Sequence, residues 1–164
     1  MDRARNLPVV MYPILVGLAF VAGSLGAWYS DTTLPIVVHS REITNSPVNP
    51  GGEIRVRYVI TRYRICSGKT ERIMIDSSQT RFTLESTAFE NTTSSTGLDE
   101  FNITVKVPVA MAQGPAEYRT ATVYECNPLH EILPLGIKGP VNSIKFEVRG
   151  NPPPAQLVIP LESK

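Results

Sequence analysis

A strictly alternating segment in the second half of the chain most constrains the fold. Apolar side chains occupy every second position from Phe101 to Val109, and the residues between them are polar or are proline. This period of two is typical of a β-strand with one buried and one solvated face. Gly114 and Pro115 break the pattern, and a second strand is predicted from Glu117 to Cys126.

The rest of the domain also predicts short strands separated by turn-forming residues. The predicted strands are Ile36–Ile43, Glu53–Cys66, Glu71–Asp76, Arg81–Phe89 and Ser143–Arg149, with turns at Asn45–Gly52, Ser67–Lys69 and Ser77–Thr80. The apolar parity changes within Glu53–Cys66, which predicts a bulge near Ile60–Arg62 or a strand that passes between sheets there. The domain has no helical period. About seven strands at this spacing predict an all-β antiparallel sandwich.

The N-terminal segment predicts a membrane anchor. Residues 7–28 are 22 positions without a charge. A helix of that length spans roughly 33 Å, enough for a hydrocarbon core of about 30 Å. Arg3 and Arg5 precede the segment and the next cation is Arg41, so the positive-inside tendency predicts a cytoplasmic N-terminus.

The outer end of this segment leaves one alternative open. Trp28 and Tyr29 suit the outer membrane interface. A cleaved signal peptide is the rival interpretation, because Ala22–Ser24 and Ser24–Gly26 offer small residues at the spacing that a signal peptidase accepts. The apolar run is longer than a usual signal core, which favours a retained anchor.

The predicted organisation has four parts. Residues 1–6 are a cytoplasmic N-terminus, 7–30 a transmembrane helix, 31–150 an extracytoplasmic β-sandwich, and 151–164 a Pro-rich linker and tail. The chain is therefore expected to be a single-pass membrane protein whose main domain is periplasmic if the organism is bacterial.

Composition and motifs exclude several classes of function. A net charge of +1 gives no support to nucleic-acid binding. No nucleophile motif or phosphate-binding loop occurs, and His39 and His130 have no partner at a metal-ligand spacing. We expect no enzyme activity, cofactor or metal. Asn91 and Asn102 begin glycosylation sequons, although motifs this short often arise by chance.

Cys66 and Cys126 are the only cysteines, and both fall where a predicted strand meets a turn. Because both lie in the segment expected outside the cytoplasm, a disulfide between them is the first interpretation. Two free core thiols or a metal site are the alternatives, and a metal site would need more ligands.

Two apolar segments are candidates for partner contact. The connection from Asn127 to Pro140 carries the aliphatic residues Leu129, Ile132, Leu133, Leu135 and Ile137, which must fold onto the domain's own core or face a partner. The tail carries Leu157 and Ile159, which suit strand addition to a neighbour or docking in a groove; simple disorder is the alternative.

The predicted domain resembles the immunoglobulin-like superfamily. The strand ending in Cys66, the alternating Phe101–Val109, the corner at Gly114–Tyr118 and the Tyr124–Cys126 strand end look like strands B, E and F of that fold. One anchor plus one such domain is similar to small single-pass envelope proteins of bacteria and their phages. The expected function is a non-catalytic structural or accessory subunit of a membrane complex, with a recognition module for a ligand or a cell or virus surface as the alternative.

Overall fold

The computed structural model describes residues 7–90, 95–133 and 135–150, with side chains from Met11 onward. This part of the chain forms two helices and eight strands. They are α1 (Leu7–Tyr29), β1 (Ile36–Ile43), β2 (Glu53–Arg62), β3 (Ser67–Ile75), β4 (Arg81–Phe89), β5 (Gly97–Lys106), β6 (Gly114–Glu125), α2 (Pro128–Ile132), β7 (Ile137–Lys138) and β8 (Asn142–Val148).

Helix α1 is apolar and stands away from the domain. Residues Met11–Tyr29 have a mean hydropathy of 1.6, and none of them is buried. Pro13 lies inside the helix, in its second turn. The predicted membrane-length helix is therefore confirmed: α1 is long and apolar enough to cross a bilayer.

The strands form two antiparallel sheets. Sheet A has the order β1-β2-β5, and sheet B has the order β4-β3-β6, with β7 and β8 both paired to β6. In sheet A the start of β1 pairs with the end of β2. In sheet B the ends of β4 and β6 both pair with the start of β3, which follows β2 in the chain. These strand ends therefore lie together at one pole of the domain, and α1 leads into β1 there. We call this the α1 pole.

The chain crosses from sheet A to sheet B between Arg62 and Ser67. Two alternatives were predicted near Ile60–Arg62, a bulge or a passage between sheets. The passage is the one observed, directly after Arg62. The β2–β5 pair is regular throughout, and the irregularity opposite Ile60 lies on β1, between Val38 and Ser40. The parity change in the sequence therefore marks the change of sheet.

The predicted turn at Ser67–Lys69 is wrong, because β3 already begins there. Gly68 is needed inside the strand for space. A Cβ at this position would lie 2.5 Å from the carbonyl oxygen of Val123 and 2.8 Å from the Phe89 ring. The glycine thus reflects close packing of strands and not a reversal of the chain.

One end of the space between the sheets is filled by a continuous apolar core. Its buried side chains come from both sheets and include Ile54, Val56, Met74, Val105, Val107, Met111, Ala116, Phe146 and Val148. The inward face predicted for the alternating segment holds for Val105 and Val107. It is wrong for Val109, which is exposed: backbone hydrogen bonds with Gly51 and Gly52 continue the strand pairing as far as Val107, and the pairing stops at Pro108.

Candidate functional site

The two sheets do not close over each other near the α1 pole. A cavity of about 600 Å³ separates them and opens to solvent. Its lining comes from both inner faces: Ile36, Val38, Tyr58, Ile60, Arg62, Asp99, Phe101 and Ile103 of sheet A, and Thr70, Arg72, Thr87, Phe89, Tyr118, Thr120, Thr122, Tyr124 and Asn142 of sheet B, with Glu90 at the edge. We call this space the inter-sheet cleft.

Sheet B supplies a polar wall. In its register Thr87 lies beside Thr70, which lies beside Thr122, so three hydroxyl side chains cross the inner face in one row. The Thr70 and Thr122 hydroxyls are hydrogen-bonded at 3.0 Å. In the next row Arg72 lies beside Thr120, which lies beside Asn142. Inner faces of packed sheets are normally apolar, so this wall is specialised.

Sheet A supplies an apolar and aromatic wall. Tyr58 and Phe101 are stacked with ring centroids 5.5 Å apart. Phe101 keeps 38% of its surface exposed although it points between the sheets, because nothing from sheet B fills the space opposite it. Phe89 of sheet B meets Tyr124 edge to face at 6.2 Å. The cleft therefore combines aromatic surface with hydroxyl groups, as small-molecule sites commonly do.

A polar corner ends the cleft where it meets the apolar core, and it consists of Tyr58, Arg72, Tyr118 and Thr120. Tyr118 is fully buried, and its hydroxyl has no hydrogen-bond partner of acceptable geometry among the described residues. Burial raises the pKa of Tyr118, and the nearby Arg72 partly opposes that rise through its charge and through a hydrogen-bond approach too poorly aligned to satisfy the hydroxyl. A buried hydroxyl without a partner costs about 1–3 kcal/mol, so the corner is incomplete as it stands.

Cations around this corner lack acidic partners. Arg72 donates from Nε and Nη2 to the Glu85 carbonyl oxygen, at 3.0 and 2.7 Å, and Arg41 donates to Asn142 Oδ1. Neither guanidinium forms an ion pair within the described part of the chain. Burial raises the pKa of the Tyr58 phenol, opposed by a hydrogen bond with Thr120 and by these two charges. The local field is positive.

The other cation of the cleft is neutralised. Arg62, near the α1 pole, has its Nη2 atom 3.2 Å from Asp99 Oδ2. Its Nε is buried and has no hydrogen-bond partner among the described residues. The positive charge of the cleft is thus concentrated at the polar corner, away from this ion pair.

The cleft has one closed side and one open side. The contact of Arg41 with Asn142 joins β1 to β8 and closes one side. On the opposite side lie the edge strands β4 and β5, where Thr87 and Asp99 are exposed. A ligand would enter between β4 and β5.

A second surface lies beside the end of α1. The predicted connection after Asn127 contains the short helix α2, which was not predicted. The sequence Asn127-Pro128 is a helix-start pattern: the Asn127 side chain caps the helix by accepting hydrogen bonds from the backbone N–H of Leu129 and His130, and Pro128 occupies the first turn. The Asn127 amide also donates to the Trp28 carbonyl oxygen at 3.3 Å. Helix α2 is therefore tied to the end of α1.

The aliphatic residues predicted for partner contact are divided between core and surface. Ile132, Leu133 and Leu135 are 78%, 43% and 40% exposed, and we call these three the α2 patch. Leu129 is half-buried, and Ile137 of β7 is buried beside Tyr124 and the cysteines. The connection thus covers part of the domain and still presents an apolar patch.

The cysteine pair lies at the α1 pole. The sulfur atoms of Cys66 and Cys126 are 2.15 Å apart, which is disulfide-bonding distance, and no free cysteine remains in the described chain. The pair connects the end of the β2–β3 crossing to the end of β6, as the positions at strand ends predicted.

The remaining residues predicted for the membrane interface, partner contact, glycosylation or metal binding do not form a site together in the described structure. Trp28 and Tyr29 lie in the last turn of α1 and are exposed, whereas Arg3, Arg5, Leu157, Ile159 and the Asn91 sequon lie outside the described residues. Asn102 is exposed on the outer face of β5. His130 is buried against Asn127, and the described residues contain no cluster of side chains suited to a metal.

The inter-sheet cleft was not predicted from the sequence. A signal was present: once the parity of β6 is set by Ala116 and Tyr118, Thr120 and Thr122 fall on the same inner face. Threonine is also common on solvated strand faces, so its presence alone does not indicate a cleft. The open side of the cleft depends on the distance between the two sheets, which no local sequence pattern encodes.

Comparisons with known proteins give only distant similarities. No family model matches the chain, and no curated protein sequence matches it. Spo0M, a sporulation control protein from Bacillus subtilis, superposes with a TM-score of 0.41 at 13% identity, over 73% of this chain and 51% of Spo0M.

Two further structures are similar at the same level. AlkC, an alkylpurine DNA glycosylase from Pseudomonas fluorescens, gives a TM-score of 0.38 at 10% identity, over 71% of this chain and 31% of AlkC. The structural genomics target SoR45 gives 0.37 at 12% identity, over 76% of this chain and 92% of that one. The chain spans about half the length of Spo0M and about a third of AlkC. These values assign neither a family nor a function.

Proposed function

We propose that the chain is a membrane-anchored, non-catalytic recognition module that binds a ligand in the inter-sheet cleft. The single observation that carries the proposal is the cleft itself, about 600 Å³ in volume and lined by aromatic rings, hydroxyls and guanidinium groups. Ligand sites are typically clefts of about 300–1,000 Å³ with apolar walls and a few convergent polar groups. A domain selected for stability alone would fill this space with aliphatic side chains.

The strand order supports an immunoglobulin-like sandwich for the domain. Three strands in the order β1-β2-β5 face a sheet in which β3 and β6 are central, and the chain changes sheet between its second and third strands. Sandwiches of this class share such a division of strands between two sheets. In this proposal the cleft is the unfilled part of the space between the two sheets.

The proposed topology is a single pass with a cytoplasmic N-terminus and an extracytoplasmic domain. It is supported by the length and apolar character of α1 and by the exposed Trp28 and Tyr29 at its end. Intact-mass measurement of the chain extracted from its native membrane tests it. A mature chain that begins between Leu25 and Ala27 would contradict the anchor.

Occlusion of the cleft tests the binding function. Thr87 is exposed on edge strand β4 and faces the cleft, so Thr87→Trp would fill the entrance with little strain on the core. Thr83→Trp is the matched control, because Thr83 is exposed on the opposite face of the same strand.

Native mass spectrometry of the full chain, purified from its own membranes in lipid nanodiscs, provides the measurement. The wild type and Thr83→Trp should retain a bound molecule of reproducible mass that Thr87→Trp lacks. Identical spectra for all three chains, without a bound molecule, would contradict the proposed function.

A second function, as an accessory subunit of a membrane complex, is favoured by the α2 patch. Ile132, Leu133 and Leu135 are exposed at the α1 pole, within reach of a protein that spans the same membrane. Blue-native electrophoresis of gently solubilised membranes tests it. Migration in a large complex that Ile132→Asp disrupts would support this function, and migration as a free chain would oppose it.

A further inference from the structure

We propose that the ligand of the inter-sheet cleft is an anionic amphiphile, with its charged group in the polar corner and its apolar part along the wall of sheet A. This inference rests on the proposed binding function and adds the chemical class. Three observations carry it: an incomplete buried polar corner, unpaired positive charge beside it, and an apolar channel that leads away from it.

The polar corner has the donors that an anionic group needs. Tyr118 borders the cleft, and its buried hydroxyl has no well-formed hydrogen bond among the described residues, Arg72 being its poorly aligned neighbour. Arg72 donates two of its N–H groups to one carbonyl oxygen and forms no ion pair in the described structure. A carboxylate against the partly exposed Arg72 guanidinium would be neutralised by it, with the Tyr118 phenol as the neighbouring donor, and charge-assisted hydrogen bonds of this kind are the strong ones.

The charge balance of the surroundings agrees with an anion. The positive charges of Arg41 and Arg72 both reach the Tyr58 hydroxyl and oppose the rise of its pKa. The acidic lining residues lie elsewhere, Asp99 toward the α1 pole and Glu90 at the edge of the cleft. Asp99 is already paired with Arg62. A cationic head group in the polar corner would be repelled, and a neutral one would leave the partly buried Arg72 guanidinium without a counter-charge.

The remainder of the cleft fits an apolar chain. From the corner toward the α1 pole the wall of sheet A presents Phe101, Ile60, Val38 and Ile36. At about 30 Å³ per non-hydrogen atom, the share of a water molecule in the liquid, a volume of about 600 Å³ holds about 20 such atoms. One acyl chain of medium length therefore fits within the cleft.

Equilibrium binding of radiolabelled dodecanoate to the full chain in phosphatidylcholine nanodiscs tests the class, with empty nanodiscs as the blank. Dodecanol, which has the same chain length and no charge, is the second probe. Dodecanoate should bind saturably with one molecule per chain, and dodecanol should bind roughly tenfold more weakly or worse, since it lacks the charge-assisted contacts.

Two variants locate the charged group. Arg72→Gln should weaken dodecanoate binding by roughly tenfold or more and leave dodecanol unchanged. Tyr118→Phe removes only the unpartnered hydroxyl and should act in the same direction with the packing intact. Arg57→Gln is the control, because Arg57 lies on the outer face of β2, in ion pairs with Glu42 and Glu100.

The outcomes separate the ligand class from the binding function. Equal affinities for the two probes, or variants that leave their ratio unchanged, would overturn the anionic class. If Thr87→Trp then still abolished binding, the binding function would stand. If neither probe binds saturably, the proposal of an amphiphilic ligand is wrong. The binding function would be wrong as well only if the native mass spectra also show no retained molecule.

Discussion

The hydroxyl groups of Thr70 and Thr122 hydrogen-bond to each other across β3 and β6, at 3.0 Å, on a sheet face that points into the protein. Valine has nearly the same shape as threonine and would serve an ordinary core better at both positions. The pair satisfies its hydroxyls mutually and keeps the wall of the cleft polar. This arrangement is expected where a binding surface, and not stability, determines the residue type.

Replacement of both threonines tests that interpretation. The double variant Thr70→Val with Thr122→Val should keep its unfolding free energy within about 1 kcal/mol of the wild type or raise it, because no hydroxyl is left unpaired. The single variant Thr122→Val is the control and should be less stable than the double one. Thermal melting of the full chain in nanodiscs measures both, and a large loss for the double variant would show that the pair serves stability.

Asp76 is predicted to stabilise the turn between β3 and β4 through its charge. It is buried, and Oδ1 accepts from Ser78 N and Thr80 N, both at 2.9 Å, while Oδ2 accepts from Ala112 N at 3.1 Å. Burial disfavours the charged form, but these hydrogen bonds outweigh it and lower the pKa of Asp76. Asp76→Asn should reduce the unfolding free energy by about 2–4 kcal/mol at pH 7.

The loss at Asp76 should depend on pH in one direction. Because the folded-state pKa lies below the ordinary value of 3.8, the contribution of the carboxylate is fully present above about pH 4 and is lost as the pH falls through the folded-state pKa. The difference in melting temperature between wild type and Asp76→Asn should therefore shrink in acid. Glu147→Gln, in an exposed pair with Arg149, is the control and should change little at any pH.

The disulfide is predicted to form in the native membrane and to stabilise the α1 pole. Non-reducing peptide mapping after alkylation should recover Cys66 and Cys126 in one linked peptide pair. The double variant with Ala at both positions should lose about 4 kcal/mol, since the bond closes a loop with a sequence separation of 60. Recovery of both thiols in alkylated form would contradict the proposed extracytoplasmic location.

Two isoleucines that follow Asn127, Ile132 at the end of α2 and Ile137 in β7, are predicted to respond in opposite ways to a charge. Ile132 is 78% exposed and Ile137 is 6% exposed. Ile132→Asp should leave the melting temperature of the full chain nearly unchanged, whereas Ile137→Asp should lower it strongly through an unpaired buried charge. A comparable loss for Ile132→Asp would show that the α2 patch is covered by the domain itself.

The strands were predictable where one face is buried and the other solvated. The inward positions of β2 and β8 follow from Ile54, Val56 and Phe146, because a single period sets them and the core covers that face. Strand boundaries were predicted wrongly where a residue type is common both in turns and in closely packed strands. Gly68 reads as a turn residue, yet it lies in β3 because neighbouring strands leave no room for a side chain.

The candidate site was the least predictable feature. Arg72 and Thr120 lie 48 positions apart in the sequence and become neighbours only through the register of β3 with β6. The parity of β6 places Thr120 inward, but in β3 the apolar Ile73 and Ile75 lie on the other face from Arg72, so that strand gives no sign that Arg72 points inward. Helix α2 was likewise hidden, because its five residues are too few to show a helical period.

Photo-crosslinking tests the central claim most directly, because it reports where the ligand lies. The probe is dodecanoate with a diazirine at its apolar end, added to the full chain in nanodiscs, irradiated and located by peptide mapping. With the carboxylate in the polar corner, the apolar end should label the wall of sheet A near Phe101 and Ile36, and Thr87→Trp should suppress this labelling while Thr83→Trp does not. Labels confined to α1 or to the α2 patch, unchanged in Thr87→Trp, would mean that the probe meets the chain only through the bilayer and would contradict a binding site between the sheets.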